Sequence, residues 1–145
     1  MELGNINWQL VASHLVLMTV AYALALPIAW DREREARGAG LRTFPLVALG
    51  SCGYVLIGLQ VLHGSQSQAR ILYGLMTGIG FIGGGAILKG EGSVHGTATA
   101  ASIWITGAIG AAVAWGRYEI GVVLSLITFL TLYLGRYKRV LRRDR

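Results

Sequence analysis

Long apolar runs are the feature that most limits what this chain can fold into. Five of them have about the 20-residue length with which a helix crosses the hydrocarbon core of a bilayer, and they cover residues 8–30, 45–62, 71–88, 97–115 and 118–134. The runs are continuously apolar, whereas the strands of a membrane barrel alternate apolar and polar residues. In hydrocarbon each backbone group needs a partner within its own segment, which favours helices. The sequence therefore predicts an all-α, polytopic membrane protein with five transmembrane helices in one domain, residues 1–145.

Composition supports a bilayer as the surroundings of this chain. Hydrophobic residues make up 54% of it, charged residues only 14%, and the mean hydropathy is +0.56, whereas a soluble domain carries about 25% charged residues. The first seven residues hold no Lys or Arg, and a cleavable signal peptide begins with positive charge. We therefore expect the first apolar run to remain in the mature protein.

The distribution of basic residues predicts the orientation in the membrane. Short cytoplasmic loops carry an excess of Lys and Arg, and with five spans one side receives most of the thirteen basic residues. That side holds Arg32, Arg34, Arg37, Arg42, Lys89, Arg136, Lys138, Arg139, Arg142, Arg143 and Arg145, and the other side holds Arg70 and Arg117. The amino terminus is therefore predicted outside and the carboxyl terminus in the cytoplasm. Because the charges lie between apolar runs, the net charge of +6 does not predict nucleic-acid binding.

Glycines distinguish the third run from an ordinary lipid-facing span. Gly74 and Gly78 are four residues apart, as are Gly80 and Gly84, and this spacing leaves a strip of bare backbone along a helix face. The strip predicts close packing against another helix. The sequence Gly83-Gly84-Gly85 also weakens the helix, so packing alone and packing with a functional unwound turn both remain open.

Hydroxyl groups mark the start of the fourth run. Thr99, Ser102 and Thr106 are spaced three and four residues apart, so they share one helix face, near Trp104. Such hydroxyls can bond to neighbouring helices or to backbone carbonyls. We expect this face to pack against the glycine strip of the third helix, and a hydroxyl-lined pore is the alternative.

The loop between the first two runs alternates acidic and basic residues. It contains Glu33, Arg34, Gly40, Arg42 and Thr43. Local ion pairs can satisfy such a loop, although exposed pairs contribute only about 0–1 kcal/mol each. Two interpretations stay open, a solvated orientation signal and a docking surface at the cytoplasmic face.

Ionisable and catalytic groups are sparse. His14 is the one ionisable residue well inside a predicted span, where such residues are functional candidates, although a histidine hydrogen-bonded across helices is the commoner case. Glu91 and His95 lie four residues apart, but two ligands do not make a metal site. No P-loop, His-Glu-x-x-His or Gly-x-Ser-x-Gly motif is present. The sequence predicts neither an enzyme nor a cofactor.

Three motifs in order resemble the MgtC/SapB family of membrane proteins, over about residues 31–116. They are Glu33-Arg34-Glu35 followed by Ala39-Gly40-Leu41-Arg42-Thr43, then residues 78–85 (Gly-Ile-Gly-Phe-Ile-Gly-Gly-Gly), then Val94-His95-Gly96 with Thr99-Ala100-Ala101-Ser102-Ile103-Trp104. Arg70 matches an arginine often found before the third helix of the family. Compared with the best-known members, we expect this chain to be a short form without their carboxyl-terminal soluble domain.

The resemblance implies a multi-pass protein of the bacterial inner membrane. Family members are linked to growth at low magnesium, to survival inside host cells and to modulation of the membrane ATP synthase. We expect a non-enzymatic modulator of membrane energetics or ion homeostasis, with ATP synthase as the implied partner. A small channel or transporter, formed as a homo-oligomer, is the alternative, and an assembly factor without a ligand fits the same residues.

Overall fold

A computed structural model of the chain describes residues 6–35, 39–90 and 93–143. Within them, five helices and two short strands follow one another in the order α1 (Trp8–Glu35), α2 (Thr43–Val61), α3 (Ser65–Gly85), β1 (Leu88–Gly90), β2 (Ser93–His95), α4 (Thr97–Ala114) and α5 (Tyr118–Arg143). The five predicted helices are confirmed. Four of those described, α1, α2, α4 and α5, are long and apolar enough to cross a membrane, which confirms a multi-pass membrane protein.

Three helices extend beyond the apolar runs that predicted them. α1 continues five residues past Trp30, α3 begins six residues before Ile71, and α5 continues into the basic tail. Helical hydrogen bonding does not depend on hydrophobicity, so these helices continue where polar side chains can reach the membrane surface. In α3 the added polar turn, together with many glycines, leaves no 18-residue stretch as apolar as those of the other four helices.

The connection between α3 and α4 contains the one departure from an all-helical chain among the described residues. β1 and β2 pair antiparallel, with Leu88 opposite His95 and Gly90 opposite Ser93. Gly96 then turns the chain into α4 with a φ of +87°, and a Cβ at this position would overlap the Ala86 carbonyl oxygen. The predicted all-α architecture holds for the bundle, and among the described residues this ribbon is confined to the connection between α3 and α4.

The helices traverse the bundle in alternating directions. Ile79 and Gly83 of α3 face Gly107 and Ala100 of α4 respectively, which makes this pair antiparallel. α1 and α5 run in the same direction, because Ser125 Oγ donates to the Leu24 carbonyl (2.6 Å) and Arg136 lies farther along beside Asp31. The chain therefore crosses the bundle five times, with α3 as one of the crossings.

α4 is the central helix of the bundle. Each of the other four helices contacts it, and most of its side chains after Ala101 are buried. Small residues permit this central position, because Gly110 lies directly against the backbone of α2 at Ala48. α3 is the peripheral helix by contrast, with only Ile79 and Gly83 buried.

Candidate functional site

The glycines of α3 are mostly uncovered. A Cβ built on Gly83 would lie 3.1 Å from the Ala100 carbonyl oxygen of α4. Apart from chain neighbours and the backbone of α3 itself, no described atom lies within 4 Å of a Cβ built on the other glycines of this set, Gly74, Gly78, Gly80, Gly84 and Gly85. The predicted packing of this strip against the hydroxyl face of α4 is therefore wrong except at Gly83.

The open glycines lie on two different faces of α3. At about 100° per residue, the pair Gly74 and Gly78 is about 120° around the helix from the pair Gly80 and Gly84. The first pair lines a groove shared with α2. The second pair faces outward beside Tyr73, whose side chain is 73% exposed. The glycine triplet is helical and forms the last turn of α3, so the helix is unbroken up to Gly85.

The groove between α2 and α3 has a volume of about 890 Å³. It runs the length of α2, from Arg42 and Thr43 at one end to Leu62 at the other, and its walls are mainly aliphatic. Ser51 lines its middle, is 2% exposed, and its hydroxyl has no hydrogen-bond partner in the structure. The groove is an apolar channel with a cationic end.

The hydroxyl groups of α4 are buried and face inward. Ser102 Oγ donates to the Ala98 carbonyl (2.6 Å) and Thr106 Oγ1 to the Ser102 carbonyl (2.8 Å), both in their own helix. Thr99 is 5% exposed. Ser102 and Thr106 thus donate their hydroxyl protons one turn back along α4. Trp104 is on the opposite side, 43% exposed, beside a small apolar pocket against α3.

The first loop is held together by Glu33. Its Oε2 accepts a hydrogen bond from the Leu41 backbone N–H (2.9 Å), and a side chain on Gly40 would overlap this carboxylate. The Gly40 carbonyl in turn accepts from the N–H groups of Thr43 and Phe44, at 3.0 and 3.2 Å. Arg34 lies over the Trp30 ring, 5.0 Å from its centre. Glu33 and Gly40 therefore stabilise the conformation of this loop.

Arg42 and Arg70 remain exposed, and within the described part of the chain no hydrogen bond or ion pair involves either side chain. Arg42 stands at the start of α2 and lines the groove. Arg70 lies in the second turn of α3 and is absent from the groove lining. Arg42 is thus the cation available at the groove, whereas the structure gives Arg70 no defined contact.

A buried charge cluster joins the ends of α1 and α5. Asp31 and Arg32 are 1% and 3% exposed, and the Arg32 guanidinium bonds Asp31 Oδ2 through Nε (3.2 Å) and Nη2 (2.5 Å). Arg136 Nη1 lies 3.4 Å from Asp31 Oδ1. The distribution of basic residues predicts only an orientation role for these two arginines. Asp31 and Arg136 are far apart in the chain, so no local sequence pattern could pair them.

His14 bonds across helices, as the commoner of its two interpretations expected. Its Nε2 lies 2.9 Å from Gln60 Nε2 of α2, near one end of both helices. Glu91 lies outside the described residues. Among those described, no three His, Cys, Asp or Glu side chains are grouped so that they could hold a metal ion.

Comparison with known proteins supports the motif resemblance. The model of the MgtC family matches residues 18–140. Protein SrpB of Synechococcus elongatus is 36% identical over 149 aligned positions, which cover 94% of this chain and 79% of that protein. "Putative magnesium transporter YhiD" of Escherichia coli is 34% identical and Protein MgtC of Brucella abortus is 35% identical; the matches cover 85% and 71% of this chain.

The chain spans 60% of the length of the Escherichia coli relative and 43% of the Brucella relative. No solved structure matches it.

Proposed function

The chain belongs to the MgtC family of membrane proteins, and on that premise we propose that it is a non-enzymatic modulator of ion homeostasis or membrane energetics. The modulator acts by lateral docking on another protein of the bacterial inner membrane. A membrane subunit of ATP synthase is the partner that the motif resemblance suggests. The name of the Escherichia coli relative links that protein to magnesium, which supports the ion-homeostasis side of the proposal.

The open outward face of α3 is the observation that carries this proposal. Gly80 and Gly84 are one turn apart, exposed, and without any atom within 4 Å of a built Cβ. Helix association in lipid depends on close van der Waals packing, which small residues four apart allow. Tyr73 and Thr77 flank the glycines on this face, and the Thr77 hydroxyl is already bonded to the Tyr73 carbonyl (2.9 Å). The face therefore offers a backbone surface to a helix from another chain.

Gly80→Leu is expected to abolish association without preventing membrane insertion. A leucine there separates the helices and costs about 1–3 kcal/mol of packing, which is roughly a 5- to 150-fold loss of binding. The measurement is crosslinking in native membranes, followed by pulldown and quantification of ATP synthase membrane subunits. Gly135→Leu is the matched control, because Gly135 is also exposed and open but lies on α5. Unchanged capture by Gly80→Leu would sink the docking proposal.

The proposed orientation places the amino terminus outside and the basic tail in the cytoplasm. Support comes from Asp31 and Arg136, which bring the basic ends of α1 and α5 to the same end of the bundle. A green fluorescent protein fused after Arg145 is expected to fluoresce, and alkaline phosphatase fused at the same place is expected to be inactive, because the phosphatase folds only outside the cytoplasm. Active phosphatase with a dark fluorescent protein would reverse the orientation.

A homo-oligomeric channel or transporter is the second candidate, favoured by the name of the Escherichia coli relative. Within the described residues of one chain, the α4 hydroxyls at 102 and 106 are bonded to their own helix, so several copies would have to supply a polar path. Proteoliposomes of the wild-type chain, assayed for Mg²⁺, K⁺ and proton flux, separate the two candidates. Flux above that of empty vesicles would favour transport, and the absence of such flux would rule out the channel or transporter.

A further inference from the structure

We propose that the groove between α2 and α3 binds an anionic phospholipid, with the phosphate held by Arg42 and Thr43 and acyl chain in the groove. This site is separate from the docking face, because Gly74 and Gly78 line the groove whereas Gly80 and Gly84 point away from it. Either proposal can therefore fail alone.

The length and lining of the groove suit a lipid chain. The groove follows α2, whose 19 residues make a helix about 30 Å long. Its walls are mainly aliphatic, and methylene chains, whose carbons contact neighbours at about 4 Å, can lie along such walls.

The half of the groove between Arg42 and Ser51 matches the depth of one leaflet. From Arg42 to Ser51 the α2 backbone rises about 14 Å, which is about half of a 30 Å hydrocarbon core. Across this depth α2 presents Leu46, Val47 and Gly50, and α3 presents Gly78 and Ile82. Gly50 and Gly78 have no atom within 4 Å of a built Cβ, so the two helices leave space between them there. Unfilled space forfeits dispersion contacts, and an acyl chain restores them.

Charge at the mouth selects an anionic headgroup. Arg42 is exposed, and no described residue pairs with its side chain, while the nearby Glu33 carboxylate is bonded to the Leu41 backbone. No acidic residue is among those that line the groove, and the first turn of α2 contains none. The positive end of the α2 dipole lies at the same place. A phosphate there gains a counter-ion, and the Thr43 hydroxyl can donate a hydrogen bond to it.

The test is native mass spectrometry of the full chain, released from nanodiscs of equal parts phosphatidylglycerol and phosphatidylcholine. The wild type is expected to retain one phosphatidylglycerol per chain in preference to phosphatidylcholine. Arg42→Gln is expected to lower the retained ratio of the two lipids about fivefold, since one basic residue near a membrane surface contributes about that factor. Arg117→Gln, an exposed arginine at the α4–α5 turn, is the matched control and should leave the ratio unchanged.

Gly78→Leu fills the groove and is expected to remove both lipids, with Gly135→Leu as its control. The double variant Gly50→Ala, Gly78→Ala narrows the groove without a clash and should halve retention or more even if the leucine variant misfolds. Equal retention of the two lipids by the wild type would overturn the proposal, as would wild-type behaviour of Arg42→Gln. A dimer without lipid, lost in Gly78→Leu, would instead make the occupant a second copy.

Discussion

Asp31→Ala is expected to lower the free energy of unfolding by about 3–5 kcal/mol, the usual cost of leaving one member of a buried ion pair unpaired. The Arg32 guanidinium is 3% exposed, and both of its hydrogen bonds to a side chain go to Asp31. Arg136 loses its only described acidic neighbour at the same time. The measurement is the folded fraction in mixed micelles as the proportion of dodecyl sulfate rises.

Two further variants isolate the charge cluster as the cause. Glu119→Ala removes an exposed acid from the first turn of α5 and should change the unfolding free energy by less than about 1 kcal/mol. Asp31→Leu combined with Arg32→Met should recover much of the loss, because apolar replacement of a whole buried pair is often neutral. An Asp31→Ala protein as stable as the wild type would show that this cluster is hydrated in the membrane.

Gly110→Ala is expected to cost more than Gly107→Ala, although both glycines lie on α4. A Cβ at Gly110 would overlap the Ala48 carbonyl oxygen and lie 2.9 Å from Ser51 Cβ. Because the obstacle is backbone, α2 and α4 must move apart, at a cost of about 1–3 kcal/mol or more. At Gly107 the Cβ overlaps Ile79 Cδ1, the end of a flexible side chain that can rotate away.

The same unfolding measurement tests the predicted difference between Gly110→Ala and Gly107→Ala. Gly135→Ala should be neutral or slightly stabilising, since that position is open and alanine favours a helix over glycine by about 1 kcal/mol. Gly110→Val should leave little folded protein. If alanine is tolerated equally at 110 and 107, the close approach of α2 and α4 is not what holds α4 in the centre.

The sequence predicted the number and type of helices because span length and continuous hydrophobicity are local properties. It misplaced their ends, because polar turns such as residues 65–70 continue a helix without extending the apolar run. It could not assign the glycine faces of α3. The four-residue spacing predicts a helix face without side chains. Whether α4, α2 or lipid lies opposite that face depends on how the helices are arranged around α4.

The polar contacts show the same limit. The sequence left Ser102 and Thr106 free to bond to neighbouring helices or to backbone carbonyls, and both bond to carbonyls of α4 itself, a choice that depends on side-chain rotation. The hydrogen bond of Ser125 to Leu24 and the Asp31–Arg136 pair join residues more than 100 positions apart, with no local pattern to link them. The apolar surroundings of His14 predict that it bonds to another helix, but they do not identify Gln60 as its partner.

The position of α4 in the chain also sets an order for biosynthesis. The helix that every other helix contacts is the fourth to leave the ribosome. At about 5–20 residues per second, the 29 residues from Gly85 to Ala114 take about 1.5–6 s. During that interval α1, α2 and α3 are in the membrane without their shared contact helix. α3, whose main contacts are with α2 and α4, is then the helix most available to the insertion machinery or a chaperone.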